Sequence, residues 1–419
     1  MTDGDIGIRK KYQKEKFIME IKVGIFGLGL RGYSLLKHVC NVENVRVTAL
    51  CDLYPERIDR AIEYMKERDI KLPVFTTDDY HKLIACDEVD VVMIFAAWEA
   101  HIPASIEAMR AGKPVGVEIA GAYSIDQCWE LVKTYEETKT PIMMLENCCY
   151  GRREMMLLNM VKQGFFGEIA HCDGAYYHDR RIQIVNGKTE KHYRMRNYMN
   201  RNCENYPTHE LGPIAQWLNI NHGNRMVSLT STASRAVGLH DYVKKHHADD
   251  EELMNTTFNQ GDIITTVIKC AHGETIKLTL GTTLPRYYSR GLAIHGTDAF
   301  YCEDTQTIMR DDDFEDEKEG AWYKENKGNE EKYYEKYEHP VWEKYQEEGI
   351  KEGHGGMDWL VISAFFDSLK ENKPMPIDVY DMATWMAITP LSERSIQLGS
   401  SPVEIPDFTN GKWCVNFEN

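Results

Sequence analysis

Two stretches of this chain hold residues whose types and spacing could do chemistry. The first is NYPTHELGPIAQWLNI, residues 205–220. Tyr206, Pro207, Thr208 and His209 read as a turn, after which Leu211, Ile214, Ala215 and Leu218 recur at helical spacing. Thr208 fits as the cap of that helix, and Pro213 is tolerable only in a first turn. Tyr206 and His209 therefore stand where a helix begins. Histidine takes and returns a proton near neutral pH, and a tyrosine hydroxyl donates to a developing oxyanion. A lone histidine at a helix start is more often a cap than a catalyst, so this pair needs support from the rest of the chain.

The second stretch is Gly27-Leu28-Gly29-Leu30-Arg31-Gly32, which follows a strand-like run and opens a helix-like one. In that context Gly27 permits a tight turn, Gly29 admits a pyrophosphate and Gly32 lets helix and strand pack closely. The helix start offers N–H groups to the phosphates. Asp52, 20 residues past Gly32, ends the next strand at the spacing of an acid that holds ribose hydroxyls. A carboxylate there repels a 2′-phosphate, so NAD is expected over NADP, with Arg31 lying along the pyrophosphate. The third strand reads as ending FAAWEAH, which would cluster Trp98, Glu99 and His101 at the carboxyl ends of the strands, where ligands bind.

The elements that must position these residues alternate. IKVGIFG, VRVTALCD, DVVMIFAA, KPVGVEI and PIMMLEN read as near-continuous apolar strands, separated by helical stretches. This is the pattern of a doubly wound parallel Rossmann sheet. Past Asn147 the strands are Thr-, Val- and Ile-rich, and AHGE reads as a hairpin turn between two of them. The expected fold class is α/β: an N-terminal Rossmann domain, then an α+β domain with an open, mainly antiparallel sheet. The expected bounds are a tail over 1–19, an NAD-binding domain over 20–148 and a substrate-binding and oligomerisation domain over 149–419. Within the last, the charged and aromatic segment 310–350 reads as an inserted surface loop.

At 419 residues the chain is too long for one ordinary core, and 42% apolar residues suffice for buried ones. A net charge of −17 argues against nucleic acid and anionic membranes as partners. Eleven scattered cysteines include no CxxC pair, which speaks for a reducing compartment and against a zinc ribbon. The His, Asp and Arg of HDRR and HGNR lack ligand spacing, so no metal is expected. The N-terminus lacks a secretory pattern, and a cytoplasmic location is expected.

The chain as a whole resembles the Gfo/Idh/MocA oxidoreductases. Those usually carry Glu-Lys-Pro after the fourth strand; here Glu118-Ile119-Ala120 stands in its place and the lysine is missing. A narrower resemblance accounts for this. WEAH, LENCCYGRREMMLLNMVKQGFFGEI, GAYYHDRR, YPTHELGPIAQWLNINHGNR, LPRYYSRG, GHGGMDW and VYDMATWMAITPLSERSIQLGSSPVEIPDF are similar to glycoside hydrolase family 109, known for NAD-dependent α-N-acetylgalactosaminidases. The resemblance implies cofactor contacts at Leu30, Arg31, Asp52 and Trp98 to His101, and at Glu118, Ile119 and Asn147. It implies sugar contacts at Glu146, Tyr176, Arg194, Tyr206, Pro207, Thr208, His209 and Tyr288. His209, Tyr206 and Tyr176 become the expected catalytic groups. Three departures bear on substrate: Glu210 stands where the family usually has glycine, the segment between Arg180 and Arg194 is short, and the secretion signal that family members often carry is not read here.

The implied reaction oxidises carbon 3 of the sugar, which acidifies the hydrogen on carbon 2. A base removes that proton, the aglycone leaves by elimination, water adds, and the ketone is reduced again. The alternative is an NAD-dependent oxidoreductase that releases 3-keto sugars or glycosides. By analogy with related oxidoreductases a homo-oligomer, dimer or tetramer, is expected.

Overall fold

A computed structural model describes residues 20–314, 327–350 and 353–414. The expected 1–19 tail lies outside them. The chain divides into two compact units. Among the described residues the first takes in 20–119, 130–145 and 353–379, and the second 120–129, 146–314, 327–350 and 380–414.

The first unit is built on a six-stranded parallel sheet in the order β3-β2-β1-β4-β5-β6. Its strands are β1 (Ile21–Phe26), β2 (Val45–Cys51), β3 (Phe75–Thr77), β4 (Val91–Ile94), β5 (Val115–Val117) and β6 (Ile142–Met144). β4, β5 and β6 are buried at every position, as apolar runs covered on both faces should be. The order runs outward in both directions from the β1–β4 pair, the switch point at which such sheets bind ligands. β3 and the following helix Tyr80–Ala85 are additions to the five strands legible in the sequence. At three residues with one exposed, β3 is too short for an apolar pattern.

WEAH does not extend a strand. β4 stops at Ile94, and Trp98, Glu99 and His101 form the first turn of the helix Trp98–Arg110. The segment GHGG is a helix entry, a single 3-10 turn over His354–Gly356 that leads into the helix Met357–Glu371.

The second unit carries an eight-stranded sheet in the order β13-β12-β11-β7-β10-β9-β8-β14. These strands are β7 (Ile169–Tyr177), β8 (Met226–Ala233), β9 (Ile263–Cys270), β10 (Thr275–Gly281), β11 (Ala293–Gly296), β12 (Ala299–Cys302), β13 (Thr307–Arg310) and β14 (Val403–Glu404). Only β7 and β10 pair in parallel; the other pairs are antiparallel. The AHGE hairpin is present, closed by the Cys270 N–H donating to the Glu274 carbonyl at 2.8 Å. Along β9, Ile264, Thr266, Ile268 and Cys270 are buried in alternation with more exposed neighbours, so one face is covered and the other open.

The 310–350 segment differs from its reading as a loop. Its described residues comprise a 3-10 turn, Asp311–Phe314, and a pair of helices, Glu331–Tyr337 and Pro340–Glu348. Tyr337, Trp342 and Tyr345 are buried, and the Trp342 indole donates to the Tyr150 carbonyl at 2.9 Å. The interleaved aromatics are thus an inward helix face. No helix among the described residues is long and apolar enough to cross a membrane.

Candidate active site

In the first unit, the turn after β1 has the build of a dinucleotide cradle. Gly27 sits at φ +97°, and a Cβ there would lie 2.5 Å from the Ala96 nitrogen. At Gly32 a Cβ would meet the Gly27 carbonyl at 2.1 Å. At Gly29 it would meet only the Arg57 guanidinium, at 3.7 Å, so the space beside Gly29 is open to a phosphate. Gly29 caps the helix Leu30–Val39 without any side-chain bond to the helix start. The residues present therefore fit a dinucleotide.

Asp52 is nearly buried, with Oδ2 accepting from the Leu28 N–H at 2.7 Å and Oδ1 from the Tyr54 N–H at 3.0 Å. Those bonds tie the acid to the glycine turn. Arg57 lies 3.6 Å from Asp52, and Arg60 donates to the Leu28 carbonyl at 2.7 Å. Leu30 is strongly exposed at the helix start. Arg31 turns elsewhere: its guanidinium donates to Glu118 at 2.9 Å and to Asp358 at 2.6 Å. Burial raises the Asp358 carboxyl, but His354 and Arg31 outweigh it and hold the group well below the ordinary carboxylate range. The remaining Glu118 oxygen accepts from the Ile119 N–H at 3.2 Å. Ala120 follows at φ +62°, a left-handed conformation that costs a non-glycine residue about 1 kcal/mol. Trp98 and His101 are buried, and the His101 ring bonds the Ala96 carbonyl at 3.0 Å.

In the second unit, the helix that carries His209 runs from Thr208 to Trp217. Its cap is Pro207 rather than Thr208, and Pro213 lies inside it rather than in its first turn. A proline there supplies no N–H to the carbonyl four residues back, that of His209, and burial of both flanking turns holds the helix together regardless. From Cys203 to Glu210 every residue is buried except His209, whose side chain is 14% exposed. The histidine is the residue of this segment that faces outward.

His209 meets Glu146 at 2.7 Å, Nδ1 to Oε1. Glu146 precedes the 3-10 turn Asn147–Tyr150, and its Oε1 also accepts from the Cys148 N–H at 3.0 Å. Gly212, one helical turn beyond His209, makes the approach possible. A Cβ there would lie 2.9 Å from the Cys149 sulfur and 3.1 Å from Glu146 Cγ. Burial pushes the Glu146 carboxyl up, but the charge and hydrogen bond of His209 outweigh it and leave the group below its ordinary value. Glu146, Cys148 and His209 also bring three ligand-type atoms within 4.8 Å of one another. Asn147 is buried in the same turn.

Around His209 the rings close up. Tyr206 packs edge-on at 5.0 Å, Tyr176 at 5.7 Å, and the two tyrosines lie 4.5 Å apart. The buried Arg194 guanidinium covers Tyr206 at 4.8 Å. Tyr288, half exposed, stands 6.3 Å from Tyr176 and accepts from Arg290 at 3.2 Å. The cluster therefore contains His209, Tyr206, Tyr176, Glu146, Arg194 and Tyr288, with Pro207 and Thr208 buried beneath.

Two further residues at this cluster, His178 and Arg180, enter the sequence reading only through HDRR, with no catalytic role assigned. The Tyr176 hydroxyl accepts from Arg180 Nη2 at 3.0 Å and contacts His178 Nδ1 at 3.2 Å. Arginine can only donate, so the tyrosine proton points to His178. Burial, with Arg180, Arg194 and His209 nearby, pushes His178 down to about 4, which leaves its ring neutral and able to accept. The signal that finds these residues is period two: 176, 178 and 180 share one face of an extended chain.

Comparison with known proteins divides the chain once, between residues 145 and 150, whereas the two compact units exchange the segments 120–129 and 353–379 across that point. Residues 21–145 match the family model "Oxidoreductase family, NAD-binding Rossmann fold", and residues 150–415 match "Glycosyl hydrolase 109, C-terminal domain". An alpha-N-acetylgalactosaminidase of Shewanella oneidensis is 38% identical over 400 residues, 94% of this chain and 86% of that one. A glycosyl hydrolase family 109 protein of Stenotrophomonas maltophilia is 38% identical over 417 residues, covering 94% of this chain and 90% of its own. Among solved structures, levoglucosan dehydrogenase in complex with NADH and levoglucosan superposes with a TM-score of 0.69 at 15% identity, over 92% of this chain and 99% of that one. Scyllo-inositol dehydrogenase from Lactobacillus casei, with NAD(H) and scyllo-inositol bound, gives 0.64 at 13% identity, over 92% and 99%. At such identities the structural likenesses describe the fold.

Proposed function

Since the chain belongs to glycosyl hydrolase family 109, we propose that it is an NAD-dependent glycosidase that cleaves N-acetylgalactosaminides, the α anomers first among them. The observation that carries this reading is the buried Glu146 bonded to His209 inside a ring of tyrosines. When bound, NAD⁺ would supply the acceptor for a hydride from carbon 3 of the sugar and its return after cleavage, so that no net oxidation would occur. The glycine turn after β1 and the acid Asp52 would hold that cofactor.

The residues divide the proton work. His209 takes the carbon-3 hydroxyl proton, and Glu146 stabilises the imidazolium that results. Tyr176 acts on the carbon-2 proton in its deprotonated form, with Arg180 stabilising the anionic oxygen and the neutral His178 ring beside it. The Tyr206 hydroxyl donates to the enolate oxygen, and Arg194 braces its ring. Arg194 and Tyr288 orient the hydroxyls and the acetamido group of the sugar, with Pro207 and Thr208 shaping the floor. A cytoplasmic location and a homo-oligomer belong to the same proposal; the scattered cysteines support the former.

The test mixes purified protein with α- and β-nitrophenyl N-acetylgalactosaminides, and gluco and galacto controls, in deuterium oxide. Aglycone release with deuterium at carbon 2 and no accumulating NADH is the expected result. NADH that accumulates on adding NAD⁺, with no aglycone release, would overturn it in favour of the oxidoreductase that forms 3-keto sugars.

A further inference from the structure

Two carboxyls in the stretch that carries Tyr206 and His209 have no role in the chemistry above. Glu204 and Glu210 are both fully buried, one before the helix and one in its first turn. Among the described residues, none of their four carboxyl oxygens meets a side-chain donor; the chain offers them only backbone N–H groups, of Tyr206 to Glu204 and of Glu210 to its own carboxyl. Glu210 packs against β7: a Cβ at Gly174 would lie 2.9 Å from its Cβ and 3.2 Å from its Cγ. Gly174 and Tyr176 share a face of that strand, so the Glu210 side chain lies on the same sheet face as the Tyr176 ring. Glu204 is anchored through its backbone, whose N–H donates to the Ser392 hydroxyl at 2.8 Å.

The charges around the pair favour its neutral form. From the elements packed on the Thr208–Trp217 helix come Glu146, Cys148 and Cys149 at the 3-10 turn, Glu154 with its partner Arg290, and Tyr176 of β7. Cys203 and Tyr206 flank Glu204 in the chain. Arg290 is the cation that acts on Glu210, and its guanidinium is already bound to Glu154. An ionised carboxyl in this place is shut off from bulk solvent and shares its nearby cation with Glu154, and two would repel each other.

We propose that Glu204 and Glu210 hold their protons at neutral pH as a buried acid pair that keeps Glu146 the sole anion behind His209, and that loss of a proton from the pair is an alkaline off-switch for the site. The inference rests on the glycosidase reading for what is switched, but not for the state of the pair. Burial first, and then the neighbouring Glu204 and Glu146, raise the Glu210 carboxyl far above its ordinary value; burial likewise raises Glu204. A second negative charge beside the His209–Glu146 pair would oppose the enolate that the reaction must form, and would hold the proton on His209. Both act against turnover. The two residues touch no substrate in this account and are positioning residues.

The experiment uses E204Q, E210Q and the double variant, since glutamine mimics a carboxyl that cannot ionise. Infrared spectra of the full-length protein, without substrate, follow the carbonyl band of protonated carboxyls against pH. The expected result is a band in the wild type at neutral pH that fades in alkali, weakens in each single variant and is lost from the double. In parallel, each single variant keeps neutral turnover within about threefold and moves the alkaline limb of the pH–rate profile up by about one unit or more. A wild-type spectrum without the band at neutral pH overturns the proposal without reference to any variant. An alkaline limb that stays in place in soluble, folded E210Q overturns the switch. Failure of every protein to release an aglycone defeats the glycosidase reading instead, while the infrared titration still decides the state of the pair.

Discussion

Glu146 and His209, 63 residues apart in the chain, meet at 2.7 Å with the carboxylate fully buried and the imidazole at the edge of solvent. A buried anion so placed orients the ring and stabilises it when protonated, which is what a histidine that accepts a substrate proton needs. Glu146→Gln keeps the shape and removes the charge. It should lower kcat by about 10²- to 10⁴-fold with little change in sugar affinity, and His209→Asn should do the same. Steady-state kinetics on nitrophenyl glycosides check this; a parallel rise in KM alone would point to a binding role.

Tyr176 and Tyr206 are separable by isotope. Tyr176→Phe should abolish deuterium entry at carbon 2 and leave reduction of bound NAD⁺ by the sugar intact in a single turnover. Tyr206→Phe should slow aglycone release by about 10²-fold, the cost typical of one lost oxyanion donor. The ratio of exchange to release in each variant is the measurement. Equal losses of both in Tyr176→Phe would count against its role as the carbon-2 base.

His178 links the site to stability. Its folded value, about 4, lies below the ordinary 6.5, so the unfolded chain binds the proton first. Its contribution is therefore fully present above about 6.5 and is lost as the pH falls toward about 4. Chemical denaturation of the wild type against His178→Gln over that window should show a shallower acid loss in the variant.

Asp52 bears on cofactor choice. Asp52→Ser removes the ribose acid and, with it, the negative charge 3.6 Å from Arg57 that would repel a 2′-phosphate. NAD affinity should fall by about 10- to 100-fold, one charge-assisted hydrogen bond, and the preference over NADP should shrink. Calorimetric titration with both cofactors measures it; unchanged NAD affinity would remove Asp52 from the site.

The Arg31–Asp358 bond is the stability element beneath the glycine turn. Asp358 is fully buried, and Asp358→Asn should cost roughly 3 kcal/mol by leaving Arg31 short of one counter-charge. The depressed Asp358 carboxyl stabilises fully above its unfolded value of about 3.9, and that support fades as the pH drops below it. The thermal midpoint of cofactor-free protein should fall in the variant, by less in strong acid than at neutral pH.

The dinucleotide turn is legible in the chain because its components are contiguous: three glycines, a strand before and a helix after need only local backbone geometry. The apolar runs of β1, β2 and β4 to β6 announce the parallel sheet for the same reason, whereas β3 is too short to carry a pattern. The Thr208–Trp217 helix is capped by Pro207, one residue before the cap that local preference assigns to Thr208, and it carries Pro213 past its first turn. The aromatic residues after 330 point to a surface loop until their packing turns them into a helix face.

What the sequence by itself determined was the set of chemical groups and their local frames: a glycine turn at a helix start, an acid at the end of β2, and Tyr206 and His209 at the head of a helix. What only the tertiary structure decided was which groups meet. His209 selects Glu146, 63 residues away, and Arg31 selects Asp358, 327 residues away. It also decided that Glu204 and Glu210 lie out of reach of water. Such pairings depend on sheet order, on the close approach that Gly174 and Gly212 permit, and on burial, and burial is a property of the packed chain that no local run of residues contains.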